Sequence, residues 1–259
     1  MNTELKKDKL SVKIYDTRKQ MGEKAAEDAA AYLKSLLSKQ EQVNIIFAAA
    51  PSQNEFLESL SATPGIEWSR INALHMDEYI GLDKDAPQGF GNFLKERIFD
   101  KVPFKSVHYL NGQDPDPIHA CQVYEKILSE FPVDIVFMGI GENGHIAFND
   151  PHVANFNDTK RVKIVDLDDR CRHQQVNDGC FKHINEVPTH ALTLTVPALL
   201  TAARIFCIVP AQTKAWAVKE TLTGKISEHC PASVLRTHPH ATLYVDNDSA
   251  ALFLQSPNR

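Results

Sequence analysis

Val133-Asp-Ile-Val-Phe-Met138 runs directly into Gly139-Ile-Gly-Glu-Asn-Gly-His-Ile-Ala-Phe-Asn-Asp-Pro151. The apolar run has the length and composition of a strand buried on both faces, as parallel strands are. In open α/β sheets the ligand sits outside the carboxyl ends of the strands. Within residues 139–150 this strand end delivers three glycines, one imidazole, two amides and two carboxylates. A strand with such a terminus predicts an α/β fold and marks where its chemistry lies.

The same pattern continues in both directions along the chain. Strand-like runs at residues 10–15, 43–48, 71–76, 107–110, 133–138, 191–196, 205–209 and 242–245 alternate with helix-patterned stretches. The helices are expected at 20–39, 53–60, 92–99, 118–131, 172–181, 213–222 and 249–254. In the first of them Met21, Ala25, Ala29, Leu33 and Leu36 recur at helical spacing. Strand and helix in alternation, with loops mostly short, predict a doubly wound, largely parallel sheet with helices on both faces, Rossmann-like in plan. With no linker composition and no repeat, residues 1–9 read as a polar leader and residues 10–259 as one domain.

Composition narrows the function classes. The 259 residues are 43% hydrophobic and 24% charged, which is the balance of a folded globule. A formal charge of -5 argues against nucleic acid as the main partner, while leaving room for a local basic site for a small anion. Five cysteines, Cys121, Cys171, Cys180, Cys207 and Cys230, are scattered without a Cys-x-x-Cys pair, so neither a zinc site nor thiol exchange is indicated. The first residues carry no apolar signal core, and no segment is apolar for long enough to span a bilayer. A reducing cytoplasm is the expected compartment.

Two further strand ends are chemically dense, Ala48-Ala-Ala-Pro-Ser-Gln53 and His75-Met-Asp-Glu-Tyr79. Neighbouring strands place their C-terminal loops side by side, so these segments and residues 139–151 are expected to share one pocket. Asp77 at a strand end suits a general base for a carbon-bound proton, because desolvation raises its basicity, with Glu78 beside it. The alternative for this pair is a helix cap or a surface ion pair. His145 is placed to carry a proton near neutral pH, or else is a hydrogen-bonded structural histidine. Asn143 and Asp150 are positioned to orient its ring, although Asn-Gly and Asp-Pro also form ordinary turns. Gly139, Gly141 and Gly144 match Gly-x-Gly-x-x-Gly, but no helix pattern follows, so no dinucleotide is expected.

Together, His75-Met-Asp-Glu-Tyr-Ile-Gly-Leu82 and the segment from Gly139 to Pro151 resemble the two hallmark segments of the glucosamine-6-phosphate deaminase (isomerase) family. The resemblance runs over about residues 12–254 and includes Asn111-Gly112, Ala191-Leu-Thr-Leu-Thr195 and Gln212-Thr-Lys-Ala215. The sister family of 6-phosphogluconolactonases typically lacks the Asp-Glu-Tyr and Phe-Asn-acid-Pro elements kept here. The resemblance implies isomerisation of an amino sugar phosphate coupled to loss of ammonia, most simply glucosamine 6-phosphate to fructose 6-phosphate, without metal or cofactor. It implies Asp77 as the base moving a proton from C2 to C1 and His145 as the ring-opening residue. Arg170 and Lys214 match residues that hold the phosphate, with Ala50, Ser52, Gln53, Glu78, Gly141 and Gly144 completing the binding wall. A homo-oligomer is expected, since such enzymes commonly assemble.

The departures from the family fall inside the site. Where a glycine-rich phosphate loop is usual, this chain has Ala50-Pro51-Ser52, and Pro51 has no N–H to donate. Asn143 stands where many members have aspartate, so ring opening should lean more on Asp150, or His145 should stay neutral. Asp150 stands where glutamate is usual, and its shorter reach is expected to need a backbone shift or a bridging water. The segment Arg170-Cys-Arg-His-Gln-Gln-Val-Asn177 is rich in polar groups, with His173 and Gln174 as further pocket candidates against the alternative of an exposed helix face. These clustered changes point to a branch with a different sugar phosphate or a weaker phosphate requirement. Isomerisation without deamination, lactone hydrolysis, or sugar-phosphate sensing without turnover are the competing functions. Arg161 and Lys163 alternate with apolar residues as one basic strand face would.

Overall fold

The computed structural model describes residues 3–256. Its strands are β1 (Thr3–Lys7), β2 (Leu10–Tyr15), β3 (Val43–Phe47), β4 (Ile71–His75), β5 (Asp77–Tyr79), β6 (Ser106–His108), β7 (Ile135–Met138), β8 (Val162–Asp166), β9 (His190–Leu194), β10 (Arg204–Val209) and β11 (Ala241–Asp246). Eight of them form one sheet in the order β1-β2-β11-β10-β7-β3-β4-β6, parallel throughout except for β1. The helices are α1 (Arg18–Leu37), α2 (Asn54–Ala62), α3 (Phe90–Leu94), α4 (Pro117–Glu130), α5 (Asp169–Asn177), α6 (Val196–Leu200), α7 (Ala215–Thr223) and α8 (Asn247–Leu254).

The period-2 alternation of strands explains why β7 is apolar at every position. Ile135 and Phe137 enter one core with Met21 of α1 and Phe56 of α2, while Val136 and Met138 enter the other with Tyr124 of α4, Val218 of α7 and Phe253 of α8. Helices on both faces leave no side of the strand wet, which is the doubly wound arrangement expected from the sequence. The chain moves outward from β3 through β4 to β6, then returns beside β3 as β7 and proceeds the other way through β10 to β11. The strand order therefore reverses between β3 and β7. The connections leaving these two strands diverge, and the crevice between them is where such sheets bind ligands.

Three expectations need correction. Most of the leader is the edge strand β1, antiparallel to β2, with Leu5 packed against the core and Thr3, Glu4, Lys6 and Lys7 at the other positions. Charged side chains on an edge strand also discourage pairing with a further chain. The run at 191–196 is extended only to Leu194 and does not join the parallel sheet. As β9 it is the centre of a three-stranded antiparallel sheet with β5 and β8. Thr195 then caps α6 by accepting from Ala198 N, and Pro197 sits in the first turn where its missing N–H is harmless. Finally, the helix at 92–99 begins earlier, at Phe90, and its second half from Lys95 to Phe99 is a π-turn.

This small sheet fixes the site. Asp77 is registered opposite Thr193 on β9, so the carboxylate stands on a paired strand rather than a loop. Thr193 Oγ1 also accepts from Phe148 N at 3.0 Å, and Asn149 Nδ2 donates to Leu194 O at 2.8 Å. Both the Asp77 segment and the His145 segment are thereby pinned to the same strand.

Candidate active site

The C-terminal ends of β10, β7, β3 and β4 open on one cavity, lined among others by Lys214, His145, Ser52 and Asp77. The three dense segments of the sequence do converge. Since adjacent strands are about 4.8 Å apart, Lys214 and Asp77 leave strands roughly 14 Å from one another. A ligand spanning them lies across the ends of β7 and β3.

His145 is held by a turn that only glycine permits. Gly144 has φ 86°, Gly144 N donates to Gly141 O, and Gly141 N donates to His145 O, which folds the imidazole back over Gly141. Any Cβ at Gly141 would collide with the ring. The ring's Nδ1 lies 2.8 Å from Asn143 Oδ1 and 2.9 Å from Asp150 Oδ1. Asn143 is oriented by its other end, because Nδ2 donates to Asp150 Oδ1 and Asp168 Oδ2. Both neighbours of Nδ1 are thus acceptors, which assigns the hydrogen to Nδ1 and leaves Nε2 free to take one.

Asp150 reaches His145 directly, so the backbone shift or bridging water expected for the shorter side chain is not required. Burial works against its charge most strongly, yet His145, Asn143 and Asp168 N together hold its carboxyl below the usual range. The carboxylate is fully buried but surrounded by donors. Asn143 and Asp150 therefore share the support of His145, the first through its amide oxygen and the second through a carboxylate oxygen.

Asp77 is the opposite case. One carboxylate oxygen, Oδ1, is buried with no hydrogen-bond partner among the described residues. Phe90 and Phe148, stacked 5.3 Å apart, are part of the apolar wall of the same cavity. Burial first, and the charge of Glu78 second, raise the Asp77 carboxyl well above the usual range. The two acids of the site are therefore pushed apart, which is how one pocket separates a base from an ionised positioning group.

The structure distributes the remaining candidates unevenly. Ala50, Ser52 and Gly141 line the cavity. Gln53 is buried behind it, donating to Ser52 Oγ at 3.0 Å and to Ile208 O at 3.1 Å, which leaves the Ser52 hydrogen available to a ligand. Gly144 makes the turn and packs on Cys230 instead of facing the ligand space. Glu78 points away and accepts from Tyr79 N, Phe90 N and Gly91 N, so the helix-cap alternative describes it. Its neighbour His75 is fully buried and pushed down to about 3 by burial, hence neutral. Arg170 is exposed, donates to Glu142 O and stacks 4.8 Å from the Trp216 ring, outside the cavity lining. Lys214 is buried inside it without an ion pair among the described residues; burial lowers its pKa most, with Asp178 and Glu142 acting in the other direction.

Backbone strain marks the approach to Lys214. Ala211 has φ 83°, a region that costs a residue with a Cβ about 1–3 kcal/mol. Its N–H is held by the Asp246 carboxylate, which also caps α8. Pro51 opens a 3-10 turn, Pro51–Gln53, with Ala50 extended ahead of it. Arg18 braces that turn by donating to Pro51 O and pairing with Glu55.

On α5, His173 is exposed, whereas Gln174 and Gln175 are buried and line the cavity. Gln175 went unnoticed in the sequence. Cys171, Gln174 and Gln175 stand at i, i+3 and i+4, the spacing of one helix face, and a buried cysteine on that face was the available signal. His145, Asp150 and Cys171 also place ligand atoms within 4.8 Å of one another, but Nδ1 and Oδ1 already share a hydrogen that a metal ion would have to displace.

A family model described as glucosamine-6-phosphate isomerases/6-phosphogluconolactonase matches residues 16–244. A glucosamine-6-phosphate deaminase of Listeria monocytogenes is 34% identical over 211 residues, covering 82% of this chain and 88% of the relative. One from Bacillus cereus is 38% identical over 187 residues, covering 72% and 70%. The solved structure of a monomeric glucosamine-6-phosphate deaminase superposes with a TM-score of 0.85 at 28% identity, over 93% of this chain and 99% of that one. A 6-phosphogluconolactonase from Thermotoga maritima gives a TM-score of 0.75 at 19% identity, over 92% and 99%, and shares the fold. The chain belongs to the glucosamine-6-phosphate isomerase/6-phosphogluconolactonase family.

Proposed function

We propose that the protein converts glucosamine 6-phosphate and water to fructose 6-phosphate and ammonia. The observation that carries this reading is the pairing, in one cavity, of an unpartnered buried carboxylate at Asp77 with an imidazole at His145 whose Nε2 is free. His145 Nε2 takes the C1 hydroxyl proton and returns it to the ring oxygen, which opens the pyranose to an aldehyde. Asp77 then removes the C2 proton while the substrate's ammonium group gives a proton to the C1 oxygen, leaving a neutral enolamine, and the protonated Asp77 delivers its proton to C1. Water adds to the resulting C2 iminium and ammonia leaves. Lys214 and the free hydrogen of Ser52 are the groups for the phosphate.

Purified protein supplied with glucosamine 6-phosphate is expected to release ammonium and fructose 6-phosphate in equal amounts. Consumption of 6-phosphogluconolactone with no ammonium from the amino sugar would overturn the proposal in favour of lactone hydrolysis. Tight binding without turnover of either compound would make the protein a sensor.

A homo-oligomer in the cytoplasm is part of the same proposal. All five cysteines are free, as a reducing compartment requires, and no described helix is long and apolar enough to cross a membrane. Arg161 and Lys163 are already engaged, by Ser129 and Leu128 O and by Asp158 and Val153 O, so they do not form a free basic face. Sedimentation velocity is expected to give a multiple of the 29.0 kDa chain mass; a single-chain mass, as in the monomeric relative, would remove the oligomer.

A further inference from the structure

The cavity contains two hydrogen-bonding side chains that the reaction above does not use, Gln174 and Gln175. Gln175 is only 6% exposed and lines the cavity, and among the described residues its side-chain amide has no partner. Its backbone carbonyl is occupied, by Cys180 N at 3.0 Å and Phe181 N at 3.4 Å. The adjacent Gln174 is committed to structure at both ends, accepting from Glu142 N at 2.8 Å and donating to Asp178 at 3.2 Å. One glutamine of the pair builds the wall and the other is left facing the ligand space. The Gln175 amide atoms are not sealed in the protein interior but open on the cavity, where a ligand group can replace water.

The charge around it defines what that ligand group is. Lys214 is the one lysine or arginine among the lining residues, and its nearest acidic influences are Asp178 and Glu142. Arg170 is outside, bonded to Glu142 O and stacked on Trp216. Pro51 removes a backbone donor from the loop that carries Ser52. The anionic end of a ligand therefore meets one cation and neutral donors, not a cluster of charge.

We propose that Gln175 is a specificity-determining residue that donates its amide hydrogens to the substrate's phosphate beside Lys214, so that a neutral donor stands where a second cation would otherwise bind the anion. The assignment rests on the amino-sugar-phosphate reading of the cavity. Its consequence is a site that discriminates weakly between phosphorylated and unphosphorylated amino sugars, because a neutral donor gains less from a dianion than a guanidinium does.

Two independent readouts test this. Isothermal titration with inorganic phosphate reads the subsite without any turnover. The substitution Gln175→Glu keeps the shape and places a negative charge against the anion, so the phosphate Kd and the KM for glucosamine 6-phosphate are expected to rise by at least about tenfold, with KM for unphosphorylated glucosamine changing far less. Gln175→Arg is expected to move the phosphate Kd and the phosphorylated KM in the opposite direction and to widen the ratio between the two sugars. If Gln175→Glu leaves phosphate affinity unchanged, or alters both sugars equally, Gln175 is a packing residue and the inference fails. If the protein releases no ammonium from any amino sugar yet Gln175→Glu still weakens phosphate binding, the functional reading fails and the subsite assignment stands.

Discussion

Asp77→Asn is expected to lower kcat for ammonium release by at least about 100-fold, the usual cost of removing a general base. The amide is nearly isosteric and Asp77 accepts no hydrogen bond at Oδ1 that would be lost, so circular dichroism and KM should change little. The same variant should be more heat-stable at neutral pH. Burial and Glu78 raise the Asp77 carboxyl in the folded protein, so the native state holds that proton more tightly than the unfolded chain does. Between the unfolded value near 4 and the raised folded one, stability therefore falls as pH rises, and the penalty is fully present above both. An amide at this position carries no such penalty, so the variant's melting temperature should exceed the parent's at pH 8, by about 2–4 °C for each kcal/mol recovered, with the gap closing below about pH 4. In the parent enzyme, activity should fall on the acidic side as Asp77 takes up its proton, at a pH above that of an ordinary aspartate. A variant that is both inactive and more stable is what a strained catalytic base predicts; an inactive, less stable one would mean that Asp77 is mainly structural.

Gly141→Ala is expected to be almost as damaging as removing the histidine. The added methyl group would occupy the space of the His145 ring, which cannot move without leaving Asn143 Oδ1 and Asp150 Oδ1. Loss of the oriented Nδ1–H also loses the defined Nε2 acceptor, and a drop in kcat/KM of roughly 10²–10⁴ follows for the closed pyranose. His145→Gln should give a similar loss. Because the two substitutions disable one step, the double variant should be little worse than either single variant. Additive losses would show that Gly141 acts in some other way, for example by admitting the sugar itself.

Much of this was legible in the chain, for definite physical reasons. The two-sided burial of β7 and the alternation of runs encode the doubly wound sheet, because strand and helix differ in period and a parallel sheet needs cover on both faces. The segment from Gly139 to Pro151 is local enough that its turn, its imidazole and its two supporting groups are neighbours in sequence as well as in space. What was not legible depends on pairing at long range. The sheet of β5, β9 and β8 joins residues more than a hundred positions apart, and three residues at β5 carry too little periodicity to announce a strand. Direction was the other weakness. Glu78 follows Asp77 in sequence, but on a strand consecutive side chains face opposite ways, and only one of the pair can enter the cavity. Arg170 and Gln175 differ by five residues on α5, which turns one outward to Trp216 and the other inward to the cavity. Position alone matched Arg170 to a phosphate, and position alone does not say which face of that helix a side chain occupies.

The most direct test of Asp77 as the base is a single-turnover measurement with glucosamine 6-phosphate deuterated at C2, comparing the parent protein with Asp77→Asn. The parent is expected to release one ammonium per sugar, more slowly than from the undeuterated substrate because the C2–H bond breaks on Asp77, and the variant essentially none on the same timescale. Ammonium released by Asp77→Asn at the parent rate would contradict that role.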